Sequence, residues 1–199
     1  LYHRLTLGYD ERSIFIAEVG GLVARYELGG KLLWQSRFSK LAAGVGVGQG
    51  LAMVADVDGI VIAINAGTGE ELWRIDVESE VLSAPQVAND TVVVQAYDGR
   101  LIGLDKDSGD KRWVYSIDPP VLTLRGTATP VIDEGVVYTG FSNGKLTAID
   151  IKNGNLIWGE LIAIAKGQSE LDRIIDVDAS PLLEDSNVYA ASYNGYLFA

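Results

Sequence analysis

The stretch DGRLIGLDKDSGDKRW, residues 98–113, decides how this chain is read. Two turn pairs, Asp98-Gly99 and Ser108-Gly109, flank the segment from Arg100 to Lys106, and the stretch closes on Trp113. Leu101, Gly103 and Asp105 alternate with Ile102, Leu104 and Lys106, the period of two expected of a strand. Just upstream, Asn89-Asp90 precedes Thr91-Val92-Val93-Val94, an apolar β-branched run of the kind buried on both faces of a sheet. Asn-Asp, Asp-Gly and Ser-Gly pairs tolerate the positive φ that tight hairpin turns require. The unit therefore reads as four short strands, near 85–88, 91–97, 100–106 and 111–117.

The same unit recurs. GGLVARYELGGKLLW (20–34), DGIVIAINAGTGEELW (58–73) and NGKLTAIDIKNGNLIW (143–158) align with it, and a further copy opens at Asn194-Gly195. All four tryptophans of the protein, Trp34, Trp73, Trp113 and Trp158, close a copy, at spacings of 39, 40 and 45 residues. Four antiparallel strands repeated about every 40 residues are the signature of a propeller blade. A single blade cannot bury both faces of its sheet, so blades must stack around an axis, and each Trp is expected to pack between neighbours. The expected fold is all-β: a β-propeller of four-stranded antiparallel blades, with blades roughly at 1–38, 39–78, 79–118, 119–162 and 163–199. About four to five blades are present, and a fragment of an eight-bladed ring is expected. The stretch Gly44–Gly50 lacks the following helix and Lys of a phosphate loop and reads as the first strand of the second blade. Only 159–175 offers a helical candidate, weakened by Gly167.

The glycines that precede the third strand stand at 21, 59, 99, 144 and 195, so the interval grows from 38 to 40, 45 and 51. Extra residues enter between Trp113 and Pro130 and between Trp158 and Pro181, in the loops that join one blade to the next. Loops on a rigid scaffold are where function is carried.

Composition removes several function classes. The net charge of −11, with no Lys/Arg cluster, disfavours nucleic acid and anionic lipid as partners. There is no cysteine, hence no disulfide, thiolate nucleophile or Cys-ligated zinc. The single histidine, His3, rules against a Ser-His-Asp triad or a multi-histidine metal site and reads as solvated. Apolar runs of five to seven residues are too short to cross a bilayer, and no signal-peptide pattern is present.

The spacing A-x-D-x-x-x-G-x-x-x-W, seen in Ala148, Asp150, Gly154 and Trp158, resembles the pyrroloquinoline-quinone (PQQ) type repeat. Two families share that repeat: the quinoprotein dehydrogenases and BamB, the lipoproteins of the outer-membrane β-barrel assembly machinery. The inserted loops, Pro120–Gly126 (PVLTLRG) and 169–181 (SELDRIIDVDASP), resemble BamB segments. That resemblance covers essentially the whole chain. It implies a non-catalytic periplasmic scaffold of a Gram-negative bacterium, without cofactor or metal. In that family Leu122, Leu124, Arg125, Asp176 and Asp178 correspond to residues that contact the periplasmic POTRA region of BamA. The resemblance further implies an N-terminal lipid anchor, expected to precede residue 1, and by analogy contact with unfolded outer-membrane protein precursors through strand edges.

The residues themselves support a shared face. Aligned on Pro85, Pro130 and Pro181, Arg125 and Asp176 both lie five residues before the proline, so they should meet one rim, with Asp178 beside them. Leu122 and Leu124 can share one side of an extended segment, and an exposed apolar pair beside an Arg suits an interface anchor. Blander readings stand beside this one. Arg125 and Asp176 could simply pair with each other, the leucines could be core, the aspartates could cap nearby amides, and Asp172-Arg173 could be a solvated pair. The enzyme alternative, a PQQ-dependent dehydrogenase, needs a quinone and a calcium site. Asp105 and Asp150, its nearest candidates, fit turn support instead. A propeller docking another periplasmic partner is the third reading.

Overall fold

The computed structural model describes residues 5–120, 122–164, 174–185, 187–193, 195 and 197–199. Each copy of the repeat becomes one antiparallel meander. The first sheet holds β1 to β4 (Gly8–Tyr9, Ser13–Ala17, Leu22–Glu27, Leu32–Arg37). The second holds β5 to β8 (Gly46–Gly48, Leu51–Ala55, Ile60–Asn65, Glu71–Asp76). The third holds β9 to β12 (Gln86–Ala88, Thr91–Gln95, Arg100–Asp105, Lys111–Ser116), and the fourth β13 to β16 (Val131–Asp133, Val136–Gly140, Lys145–Asp150, Leu156–Leu161). The fifth holds β17 to β19 (Leu182–Glu184, Asn187–Ala191, Leu197–Phe198). The four strands read from residues 85–117 thus form with nearly those bounds. Among the described residues there is no helix: 159–161 of the helical candidate belong to β16, and 165–173 lie outside the described residues.

The turns follow the side chains chosen for them. Asn89 and Asp90 both take positive φ, 47° and 60°, as a tight β9–β10 hairpin demands. Asp105 accepts the Ser108 N–H, a charged bond from Arg112 and the Asp107 N–H, and these hold its carboxyl down to about 2. Asp150 likewise accepts from the Lys152 N–H. Both aspartates therefore support turns.

Cores form between blades. β6 and β10, the apolar second strands, are buried along their whole length. Phe15, Leu41 and Ile62 join the first sheet to the second. Met53, Val92 and Ile102 join the second to the third, and Leu101, Val137 and Ile149 the third to the fourth. Leu146, Val177 and Ala190 continue into the fifth. Three tryptophans lock the first three junctions, as their position in the repeat predicts, while Trp158 is only partly buried against the core shared by the fourth and fifth sheets. The indole N–H of Trp34 donates to Ala66 O (2.9 Å), that of Trp73 to Lys106 O (2.8 Å) and that of Trp113 to Ile151 O (2.8 Å), each in the next blade. The innermost strands β1, β5, β9 and β13 sit side by side. The approach there is close enough that a Cβ on Gly46 would lie 1.7 Å from Pro85 O, which accounts for the glycine-rich first strand of the second blade.

Candidate functional site

The first inserted loop runs from β12 to β13. It is held from both sides by residues distant in sequence. From the fifth blade, Asp176 Oδ2 accepts the backbone N–H of Leu124 at 2.5 Å. From the third blade, the Tyr97 hydroxyl meets Thr123 Oγ1 at 3.1 Å, and Glu80 Oε1 pairs with Arg125 Nη2 at 2.8 Å. A second bond to the fifth blade follows further on, from Thr129 N–H to Ser180 Oγ (3.2 Å). Within the loop, Gly126 N–H closes onto Leu124 O at 3.1 Å, a three-residue turn centred on Arg125 that turns its side chain outward.

Exposure divides the sequence-predicted residues into two groups. Leu122 is 39 % exposed and Arg125 is also exposed, while Leu124 is half-buried. Asp176 is fully buried and Asp178 half-buried. Asp176 therefore has no surface of its own, and it reaches the loop through the Leu124 amide. The supposed Arg125–Asp176 pair does not form: the Arg125 partner is Glu80, and Asp176 faces a backbone amide instead. The capping idea survives in altered form, since the capped amide lies 52 positions away. Asp172 and Arg173 lie outside the described residues.

The repeat explains why these groups meet. Lys40, Glu80 and Asp176 each accept, through the main-chain carbonyl, the N–H of an equivalent residue: Val57 (2.9 Å), Tyr97 (2.8 Å) and Tyr193 (2.9 Å). Arg125 occupies the same repeat position in the fourth blade, five residues before Pro130. Consecutive blades thus carry Lys, Glu, Arg and Asp at one place on the rim, opposite charges in alternation. Glu80 and Tyr97 were not singled out from the sequence. The signal for Glu80 was available, because it stands five residues before Pro85 as Arg125 does before Pro130.

Inside the rim lies a cavity of about 350 Å³ lined by Ser83, Arg125, Gly126, Thr127, Asp178 and Ser180, among others. Asp178 Oδ2 stands 3.1 Å from where a Gly126 Cβ would be, so the carboxylate rests against the loop backbone. Burial, and next the charge of Asp176, push the Asp178 carboxyl up to about 6. Burial also raises Asp176, partly offset by the Leu124 N–H, and its Oδ1 has no hydrogen-bond partner among the described residues. No group of three or more His, Asp or Glu side chains among the described residues is arranged to hold a metal ion. The arrangement is a supported loop offering an aliphatic and a guanidinium group, with carboxylates beneath it.

Successive four-stranded meanders, the first three each locked to the next by a closing Trp, define a propeller of the PQQ-type repeat class. The family model described as "Outer membrane protein assembly factor BamB" matches residues 19–199, and the chain belongs to that family. The protein of that name from Yersinia pestis is 32 % identical over 211 residues, covering all of this chain and 54 % of the relative. The crystal structure of BamB from Moraxella catarrhalis superposes with a TM-score of 0.92 at 30 % identity, covering 99 % of this chain and 60 % of that one. The quinohemoprotein alcohol dehydrogenase of Comamonas testosteroni shares the fold alone, with a TM-score of 0.73 at 15 % identity. The chain spans about half the length of the curated relatives it matches.

Proposed function

We propose that this chain belongs to a non-catalytic scaffold for outer-membrane β-barrel assembly, and that its 122–126 loop docks onto the POTRA region of BamA. The observation that carries the reading is the division of labour at the loop. Asp176, wholly buried, fixes the Leu124 amide, while Leu122 and Arg125 stay exposed on the same segment. A loop fixed in advance loses little conformational freedom on binding, and Arg beside an apolar side chain is a favourable interface pair. In this reading Asp178 supports the loop from the cavity side. The scaffold works at the periplasmic face of the outer membrane, lipid-anchored in the full-length protein, and offers strand edges to unfolded barrel precursors. The test uses the full-length protein in a pull-down with the periplasmic domain of BamA. Arg125→Glu and Leu124→Ala are expected to lose binding. If both variants fold and bind as the unaltered protein does, the docking site is wrong.

A further inference from the structure

We propose that Glu80 is a positioning residue for docking: from the third blade it sets the direction in which Arg125 is presented to the partner. The inference rests on the reading of 122–126 as the docking loop and adds a residue that lies outside both inserted loops.

Glu80 Oε1 lies 2.8 Å from Arg125 Nη2, with the two side chains 34 % and 36 % exposed. The pair is therefore neither sealed in the core nor free in solvent; it sits at the rim with one side open. The Glu80 main chain is fixed. Its carbonyl accepts the Tyr97 N–H at 2.8 Å, and the next residue, Val81, bridges to Ala96. The backbone of Arg125 is fixed as well, by the turn from Gly126 N–H to Leu124 O and by the Asp176 bond to Leu124. What remains free is the long Arg side chain, whose many rotamers must be narrowed on binding. A carboxylate carried on a loop pinned by the Tyr97 bond and the Val81–Ala96 bridge removes part of that freedom in advance, which lowers the cost of binding. One Nη stays committed to Glu80, and the guanidinium keeps further N–H donors in its planar fork. The partner surface that fits is an acceptor, a carboxylate or a pair of carbonyls, beside an apolar recess for Leu122. The third blade thus directs the side chain and the fifth blade the backbone of the same loop.

The experiment measures the affinity of the full-length protein for the BamA periplasmic domain. Four variants are compared: Glu80→Ala, Glu80→Gln, Arg125→Ala and the Glu80→Ala/Arg125→Ala double. Because an exposed pair is modest, Glu80→Ala is expected to weaken binding about two- to fivefold, with an unchanged melting temperature. Glu80→Gln should recover part of the loss, since its amide oxygen still accepts from Arg125. Once Arg125 is Ala, removing Glu80 should cost nothing more, and the Glu80→Ala penalty should shrink at high salt. Binding unaffected by Glu80→Ala would overturn the proposal. So would the same loss with or without Arg125, which would mean that Glu80 acts independently of Arg125. Unaffected binding by Arg125→Ala would instead overturn the docking reading itself, and the positioning role with it.

Discussion

The Asp176 carboxylate accepts the backbone N–H of Leu124 at 2.5 Å, although 52 positions separate the two residues. The acceptor belongs to the fifth blade and the donor to the loop that opens the fourth, so the bond spans a blade junction. Removing it leaves a partly buried amide without a partner, which costs about 1–3 kcal/mol. Asp176→Ala is therefore expected to lower stability by that order and to speed hydrogen exchange at the Leu124 amide. Asp176→Asn, which keeps an acceptor oxygen, should do less of both. Unchanged protection of Leu124 in Asp176→Ala would reject the clamp.

Asp178 gives the same region a pH dependence. Its carboxyl is raised from 3.8 to about 6 by burial first and the Asp176 charge second. Between roughly pH 4 and 6 the folded chain keeps a proton that the unfolded chain has released, so stability falls as pH rises through that window and levels off above it. The raised carboxyl of Asp176 slopes in the same sense. Asp178→Asn removes the titration. Urea midpoints for the variant and the unaltered chain should nearly coincide at pH 4 and diverge by pH 7.5, with the variant more stable by about 1–2 kcal/mol after solvent screening of the part-exposed carboxyl. A gap independent of pH would contradict the assignment.

Much of the fold was legible because the repeat writes it several times. Trp113 could be read as an inter-blade residue from its spacing alone, and Asn89-Asp90 announced its turn. The strand bounds drifted inward by a residue or two because the ends of 91–97 and 100–106 enter turns. The partners across junctions were harder to read. Position five before the proline told that Arg125 and Asp176 share a rim, but not that Asp176 is turned inward to a backbone amide while Arg125 reaches back to Glu80. Side-chain direction depends on the local turn at Arg125, set by a Gly126 hydrogen bond that no residue pattern encodes. The charge at Glu80 carried no mark of its own in a chain with 27 acidic residues.

The Trp lock makes a sharper stability forecast. Trp113 is 8 % exposed, its N–H donates to Ile151 O at 2.8 Å, and its ring covers Gly154. Gly154 has φ +72°, and a Cβ there would come within 2.6 Å of the Trp113 ring. Gly154→Ala is expected to cost more than about 1 kcal/mol through backbone strain and displacement of the indole. Trp113→Phe keeps an aromatic ring but strands the Ile151 carbonyl, at about 1–3 kcal/mol. Because both act on one contact, the double variant should lose less than the sum. Additive losses in thermal denaturation would show that the two sites are not coupled.

Leu122 is the residue at which the proposed docking can be told apart from folding. With 39 % of its surface exposed, truncating it removes little core. Leu122→Ala should change stability by no more than about 0.5 kcal/mol, the usual range for surface substitutions. An apolar anchor, in contrast, is lost in full when its partner's recess is left empty, and interface hot spots cost upward of about 1–2 kcal/mol on truncation. The variant should therefore melt with the unaltered protein yet bind the BamA periplasmic domain at least about fivefold more weakly, chiefly through faster dissociation. Leu124 is the control. It is half-buried and its amide is clamped, so Leu124→Ala should lower both melting temperature and affinity. If Leu122→Ala instead destabilises the chain and leaves affinity intact, Leu122 is packing, and the exposed half of its side chain has no partner to meet.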